Sequence, residues 1–135
     1  MQLSEQWVLV TGGARGLGQS ITRALAREGA GVVINYLHSD AAAQALAEEL
    51  GPRALALQAD VTDAAAVQRL FAQVRERTGQ PISAVVNNAL AQFRFDGDAR
   101  PQIGDITWQR FAQQLEGAVK GALNTTQAAL PAMRE

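Results

Sequence analysis

The sequence predicts an α/β fold in which helices cover both faces of a doubly wound parallel sheet. Four short runs rich in β-branched and other apolar residues alternate with longer helical patterns, which is the rhythm of repeated strand–helix units. The runs show no polar alternation, as expected of parallel strands that helices bury on both sides. A glycine-rich segment joins the first run to the first helical pattern, where a tight turn is required.

The first strands and helices are expected in this order. The strands cover residues 8–10, 32–34, 54–57 and 84–86. The first helix begins near Gly16 and ends at Gly29. Its predicted sheet-facing residues, at helical spacing, are Leu17, Ile21, Ala24 and Leu25. The second helix covers about residues 41–50 and ends at Gly51 and Pro52.

The third helix is predicted from four apolar residues at helical spacing, Val67, Leu70, Phe71 and Val74. It should end near Gly79, with Asp63 or Thr62 as its N-cap.

The remaining residues predict a loop and one more helix. The segment 90–104 is irregular and predicts a long loop, a kind that often carries function; it contains Phe93, Phe95, Asp96, Asp98 and Pro101. A last helix should run from about Thr107 to the end of the chain. Its apolar and small residues at helical spacing are Trp108, Phe111, Leu115, Ala118 or Val119, Ala122 and Thr126.

The composition excludes several classes of function. The 135 residues include 12 basic and 13 acidic side chains, so a net charge of −1 offers no field to attract nucleic acid or an anionic membrane. The chain has no cysteine, which excludes disulfides and thiolate chemistry, and no metal site is predicted. The apolar run 7–10 is far shorter than the roughly 18 residues of a membrane span. We therefore expect one cytoplasmic domain, residues 1–135.

The glycine-rich segment has the features of a phosphate-binding loop. Backbone N–H groups between a strand and the positive end of a helix can surround a diphosphate, and glycines let it approach closely. The candidate binding residues of this segment are Thr11, Gly12, Gly13, Arg15, Gly16, Leu17 and Gly18. The sequence therefore predicts a Rossmann-type dinucleotide site, although another nucleotide such as FAD stays open.

The spacing Thr11-Gly12-x-x-x-Gly16-x-Gly18 resembles the glycine motif of the classical short-chain dehydrogenase/reductase family. Asp60-Val61 resembles the family pair that contacts adenine, and Asn87-Asn88-Ala89 resembles the motif that supports the sheet near the cofactor. Residues 125–133 resemble the end of a family helix. The resemblance covers the whole chain but only about half of a typical member, and implies the strand order 3-2-1-4 for these strands.

The end of the second strand determines which nicotinamide cofactor is expected. An acidic residue there hydrogen-bonds the ribose 2′-hydroxyl and repels a 2′-phosphate, but this chain has Asn35. Arg15 can reach the same region, where a guanidinium favours phosphate. Further hydrogen-bonding candidates are Tyr36, His38 and Ser39. We therefore expect NADP(H), with NAD(H) less favoured.

Two alternatives stay open at this point. In one, Arg15 is a solvated loop residue and Asp40 binds NAD(H), although Asp40 better suits a helix N-terminus. The other concerns the substrate. Asn35-Tyr36 followed by Ser39 is most similar to 3-oxoacyl-[acyl-carrier-protein] reductases, while related sugar and alcohol dehydrogenases are not separated by this pattern.

The resemblance implies catalytic groups that this chain lacks. Family members use a tyrosine to protonate the carbonyl oxygen, a lysine four residues later, a serine and an asparagine that holds a water relay. Tyr36 is the only tyrosine and Lys120 the only lysine, so no Tyr-x-x-x-Lys pair exists. Ala118 stands at the family's asparagine position, and Leu90 replaces the glycine that follows Asn87-Asn88-Ala89.

We therefore predict the NADP(H)-binding part of a carbonyl reductase, truncated after the fourth strand and its following helix and inactive alone. It would act on a small-molecule carbonyl substrate only when a C-terminal half completes it. The alternative is a non-catalytic nucleotide-binding or regulatory domain. The fourth strand would have an open edge, which predicts a homo-oligomer or a partner chain.

Overall fold

A computed structural model describes residues 2–90, 97 and 100–134 of the chain. Its strands are β1 (Trp7–Val10), β2 (Gly31–Tyr36), β3 (Ala54–Gln58) and β4 (Ala84–Val86). Its α-helices are α1 (Gly16–Arg27), α2 (Asp40–Leu50), α3 (Ala64–Thr78), α4 (Trp108–Leu115) and α5 (Gly121–Met133). Short 3-10 turns cover Leu3–Glu5 and Ile103–Asp105, and neither turn was expected.

The four strands form one parallel sheet in the order β3-β2-β1-β4. The α/β fold, the alternation of elements and the strand order are thereby confirmed. Successive residues of a strand face opposite sides, so Val33 packs with α3 residues such as Leu70 while Ile34 packs with α2 residues such as Leu46. The sheet is thus covered on both faces.

Burial of the strands differs from the expectation at the two edges of the sheet. Every residue of β1 and β2 is buried, whereas all three residues of β4 are half-buried and β3 ends exposed. A central strand has a neighbouring strand on each side, but an edge strand has one. Position in the sheet, which the local sequence does not encode, therefore reduces the burial of β3 and β4.

The face of α1 that packs on the sheet was predicted only in part, since Leu25 packs against the cluster of Ile34 and Leu46 as expected but the other three residues do not lead the buried face. Leu17 is 71% exposed, Ala24 is exposed and Ile21 is only half-buried. The buried residues of α1 are instead Gly18 and Thr22. Helical spacing identified an apolar stripe, but close approach of α1 to the glycine-rich loop requires small residues on the inner face.

The ends of α3 agree with the sequence. The Asp63 carboxylate accepts hydrogen bonds from the backbone N–H of Ala65 at 2.9 Å and of Ala66 at 3.2 Å, so Asp63 is the N-cap. Gly79 ends the helix with φ of 70°, a left-handed conformation that glycine adopts without strain.

The last predicted helix is divided in two. A π-helical turn, Glu116–Lys120, joins α4 to α5, and Thr107 caps α4 by accepting a hydrogen bond from the Arg110 N–H. Such turns widen the helix locally and are frequent at functional sites. Much of the long loop expected at 90–104, including Phe93, Phe95, Asp96 and Asp98, lies outside the described residues.

Two kinds of feature are absent from the described residues. Within 2–90, 97 and 100–134, no helix has the length and apolar character needed to cross a membrane. In the same part of the chain, no three histidine, aspartate or glutamate side chains cluster closely enough to hold a metal ion.

Candidate functional site

A crevice of about 680 Å³ opens at the carboxyl ends of the strands. Most of the predicted binding residues line it: Gly12, Arg15, Gly16, Leu17, Gly18, Asn35, Tyr36, His38, Ser39, Asp60, Val61, Asn88 and Ala89. The lining does not include the predicted residues Thr11, Gly13 and Asn87. Lining residues that were not among the predicted binding residues include Leu37, Thr62 and Glu116. Leu37 could have been found, because it lies between two candidates.

The glycine-rich loop brings backbone N–H groups to the crevice. The first hydrogen bond of α1 joins the Gln19 N–H to the Arg15 oxygen at 3.2 Å. The N–H groups of Gly16, Leu17 and Gly18 precede that bond and have no acceptor within the helix. Because all three residues line the crevice, the positive end of α1 meets it. This arrangement suits a diphosphate.

Gly18 is required by close packing. A Cβ atom at this position would lie 2.2 Å from the Gly12 carbonyl oxygen and 2.6 Å from the Asn88 Nδ2. Gly16 is different, because its Cβ would meet open space but its φ of 55° is unfavourable for other residues. The motif therefore combines one steric and one conformational requirement.

Thr11 and Asn88 hold the glycine-rich loop against the end of β4. The Thr11 hydroxyl oxygen accepts hydrogen bonds from the N–H of Asn88 at 2.9 Å and of Ala89 at 3.0 Å. In return the Asn88 Nδ2 donates to the carbonyl oxygens of Thr11 at 3.0 Å and Gly12 at 3.3 Å. These reciprocal bonds fix the floor of the crevice.

Two other polar side chains connect α5 to this floor. The Thr125 hydroxyl donates to the Asn87 Oδ1 at 2.6 Å, and the Asn124 Nδ2 donates to the Val61 oxygen at 2.8 Å. Gly121 also contacts this region, since a Cβ there would lie 2.7 Å from Val61 Cγ2. Asn87 and Asn124 therefore support the site through α5.

The side chain of Asn35 is held by hydrogen bonds to other parts of the chain. Its side chain is 2% exposed, and its Nδ2 donates to the Ala59 oxygen at 3.0 Å. Its Oδ1 accepts a weak hydrogen bond from the Gly12 N–H at 3.4 Å. These bonds join the glycine-rich loop to the region after β3. The more exposed groups at this end of the crevice are Leu37, His38 and Ser39, and Ser39 makes no side-chain capping bond to α2.

Tyr36 and Asp40 form a hydrogen-bonded pair beside this segment. The Tyr36 hydroxyl donates to the Asp40 Oδ1. The bond to Asp40, together with burial of the hydroxyl, raises the pKa of Tyr36 above its ordinary value of 10.0. Asp60, farther along the wall, accepts from the Thr62 N–H at 2.9 Å and from its hydroxyl at 2.7 Å.

A second cavity of about 80 Å³ adjoins the π-helical turn. Its lining includes Thr11, Asn87, Leu90 and Ala118. The Ala118 side chain is a methyl group, which can neither donate nor accept a hydrogen bond. Lys120 is exposed and pairs with Glu116 at 3.1 Å. The described residues thus form a crevice without a tyrosine–lysine pair for proton transfer.

Comparison with known proteins identifies relatives along almost the entire chain. The family model described as short chain dehydrogenase matches residues 6–135. A sorbitol dehydrogenase of Cereibacter sphaeroides is 40% identical over 98% of this chain and 49% of its own length. Versicolorin reductase 1 of Aspergillus parasiticus is 32% identical over 99% of this chain and 50% of its own length.

Solved structures give the same result. A short-chain dehydrogenase of Burkholderia cenocepacia, in complex with NADP, superposes with a TM-score of 0.81 and 36% identity. A blue fluorescent protein from a metagenomic library, in complex with NADPH, superposes with a TM-score of 0.80 and 33% identity. Each of the two superpositions covers 98% of this chain and 53% of the chain in the solved structure. The chain thus spans about half the length of its relatives, and it belongs to the short-chain dehydrogenase family.

Proposed function

We propose that residues 1–135 form a dinucleotide-binding domain that takes NADP(H) and serves hydride transfer in a longer or assembled protein. The observation that carries this proposal is the crevice at the positive end of α1, where three N–H groups without helical acceptors adjoin Arg15. Two solved relatives are complexes with NADP or NADPH, which supports the same cofactor.

The residues of the crevice fit the chemical groups of such a cofactor. Gly16, Leu17 and Gly18 would bind the diphosphate through their N–H groups. Arg15, His38 and Ser39 would bind the 2′-phosphate, since a guanidinium and hydroxyl or ring donors match its oxygens. Asp60 would hydrogen-bond the adenine, and its carboxylate is already oriented by Thr62. Asn35, Asn87 and Asn88 would position these groups from behind.

Hydride chemistry would come from the nicotinamide of the bound cofactor. The chain supplies binding and orientation, but the described residues hold no acid or base placed to move a proton at a carbonyl oxygen. We therefore expect binding without turnover from the 135-residue chain. An additional half carrying serine and Tyr-x-x-x-Lys would be needed for activity, and Ala118→Asn would then raise it.

The substrate class has two candidates. The pattern Asn35-Tyr36 followed by Ser39 favours a 3-oxoacyl thioester. The 40% identity to a sorbitol dehydrogenase favours a sugar alcohol instead. A protein that contains this chain and the missing half should be assayed with both substrate classes, a 3-oxoacyl thioester and a sugar alcohol. Oxidation of a polyol, without reduction of acetoacetyl thioesters, would replace the first candidate by the second.

A non-catalytic nucleotide-binding domain is the second candidate function. It is favoured by Ala118 and Leu90, which line the small cavity where the family resemblance implies an asparagine and a glycine. Supplying the missing half would distinguish the two, because a non-catalytic domain would bind cofactor equally well and still show no turnover.

Calorimetric titration with NADPH and NADH tests the cofactor proposal. NADPH should bind more tightly, and Arg15→Ala should narrow the difference by about 1–3 kcal/mol, as for a charged hydrogen bond. Arg27→Ala is a matched control, because Arg27 is exposed at the other end of α1. Equal affinities for the two cofactors in the unmutated chain would refute the proposed preference.

A further inference from the structure

Tyr36 contacts both the hydrophobic core and the crevice. Its ring belongs to the buried cluster between the sheet and α2, together with Ala43 and Leu46, and the residue is only 7% exposed. Tyr36 also lines the crevice, while its hydroxyl donates to the Asp40 Oδ1. The packed ring therefore fixes the position of a hydroxyl that holds a carboxylate.

Asp40 is the acidic group nearest in sequence to the segment that would meet the ribose. Leu37, His38 and Ser39 line the crevice, and Asp40 follows directly as the first residue of α2. The described residues that line the crevice include Ser39 but not Asp40. The carboxylate is thus one residue beyond the wall, bonded to Tyr36.

A free carboxylate at this place would act against a 2′-phosphate. It would repel the phosphate charge, and it would accept a hydrogen bond from the 2′-hydroxyl of an unphosphorylated ribose. The Asp40 carboxylate instead accepts a hydrogen bond from Tyr36 and lies at the N-terminus of α2, where the helix dipole stabilises a negative charge. Both interactions stabilise the carboxylate outside the crevice.

We propose that Tyr36 is a positioning residue that keeps the Asp40 carboxylate out of the crevice and thereby determines the preference for a 2′-phosphorylated dinucleotide. This inference rests on the proposed function, because it concerns the same crevice. The raised pKa of Tyr36 is consistent with it, since the hydroxyl remains protonated, and a donor, at neutral pH.

The test measures NADPH and NADH affinities of the 135-residue chain and three variants by calorimetry. Tyr36→Phe keeps the packed ring and removes only the hydroxyl. It should lower the ratio of NADPH to NADH affinity about tenfold, the scale of one charge–charge interaction near a protein surface. Adding Asp40→Asn to Tyr36→Phe removes the released charge and should restore the ratio.

The single variant Asp40→Asn keeps an acceptor for Tyr36 and should change the ratio less than about twofold, because the charge does not face the ligand. It also tests the inference if Tyr36→Phe fails to fold. A large gain in NADPH preference in Asp40→Asn would overturn the inference, since the carboxylate would then already act on the crevice.

An unchanged ratio in folded Tyr36→Phe would also overturn the inference while leaving the proposed cofactor intact. Failure of the unmutated chain to bind either dinucleotide would overturn both. A ratio lowered by Tyr36→Phe and not restored by the double variant would assign the effect to the lost hydroxyl itself rather than to the Asp40 charge, against the inference.

Discussion

The hydroxyl of Thr125 donates a hydrogen bond of 2.6 Å to the Asn87 side-chain oxygen, joining α5 to the chain immediately after β4. Thr125 is 1% exposed, and its hydroxyl oxygen also lies 3.1 Å from the Gly121 oxygen one turn earlier. The connection is significant because β4 pairs with β1 alone within the part of the chain that the structure describes. The helix therefore supports the edge of the sheet that carries Asn87 and Asn88.

Thr125→Val should lower the free energy of unfolding by about 1–2 kcal/mol, because it removes a buried hydrogen bond while conserving volume. Denaturant titration measures the change. Thr126→Val is the matched control, since Thr126 is the next residue and is exposed, and it should stay within about 0.5 kcal/mol. Equal effects of the two substitutions would show that the contact with Asn87 adds no stability.

Gly18→Ala should distort the glycine-rich loop. The added methyl would lie 2.2 Å from the Gly12 oxygen, so the loop or α1 must move, at a cost of about 1–3 kcal/mol. NADPH binding should weaken about tenfold or more, corresponding to at least about 1.4 kcal/mol. Gly104→Ala is the control, because a Cβ there meets nothing within 4 Å. Normal NADPH affinity in Gly18→Ala would argue against a tightly fitted loop.

The Tyr36 hydroxyl should ionise above its ordinary pKa of 10.0 in the folded protein. A raised pKa means that this group contributes stability that is fully present below about 10 and is lost as pH rises through the folded value. Because Tyr36 is the only tyrosine, tyrosinate absorbance reports it directly.

Asp40→Asn should shift this titration back toward the ordinary value, because the hydrogen bond to the Asp40 carboxylate is the largest cause of the shift. Asp105→Asn, in the exposed 3-10 turn, should leave it unchanged. A Tyr36 midpoint at or below the ordinary value in the unmutated chain would contradict the contact.

The isolated chain should associate through the helices at its C-terminal end. Exposed apolar side chains follow one another along α4, the π-helical turn and α5: Trp108, Phe111, Leu115, Val119, Leu123 and Leu130. Trp108 and Phe111 stack with centroids 5.8 Å apart. An exposed apolar surface of this kind favours self-association or a partner chain, as does the side of β4 that no described strand pairs.

Sedimentation should therefore show oligomers, and Leu115→Glu should shift the population toward monomer. Gln109→Glu is the control, since it adds the same charge to α4 at an exposed position about 120° from Leu115 around an ideal helix. A monomeric unmutated chain with a cooperative and high thermal transition would contradict the prediction.

Local sequence was sufficient for the features that depend on neighbouring residues. The apolar runs located all four strands, and glycines at 16, 51 and 79 marked helix ends. Asp63 was one of two cap candidates named from the sequence, because the bonds of a cap reach only two and three residues along the chain. The glycine-rich loop was located for the same reason, since its residues and the helix that follows are contiguous.

Tertiary structure decided what depends on residues far apart in sequence. Asn35 lines the crevice as expected, but the partner of its side-chain Nδ2 is the oxygen of Ala59, which is 24 residues later in the sequence. The exposure of Leu17 follows from the approach of α1 to the loop, where Gly18 meets Gly12 and Asn88. Helical spacing shows that a face exists, but only packing determines which face is buried, because burial requires a surface supplied by other segments of the chain.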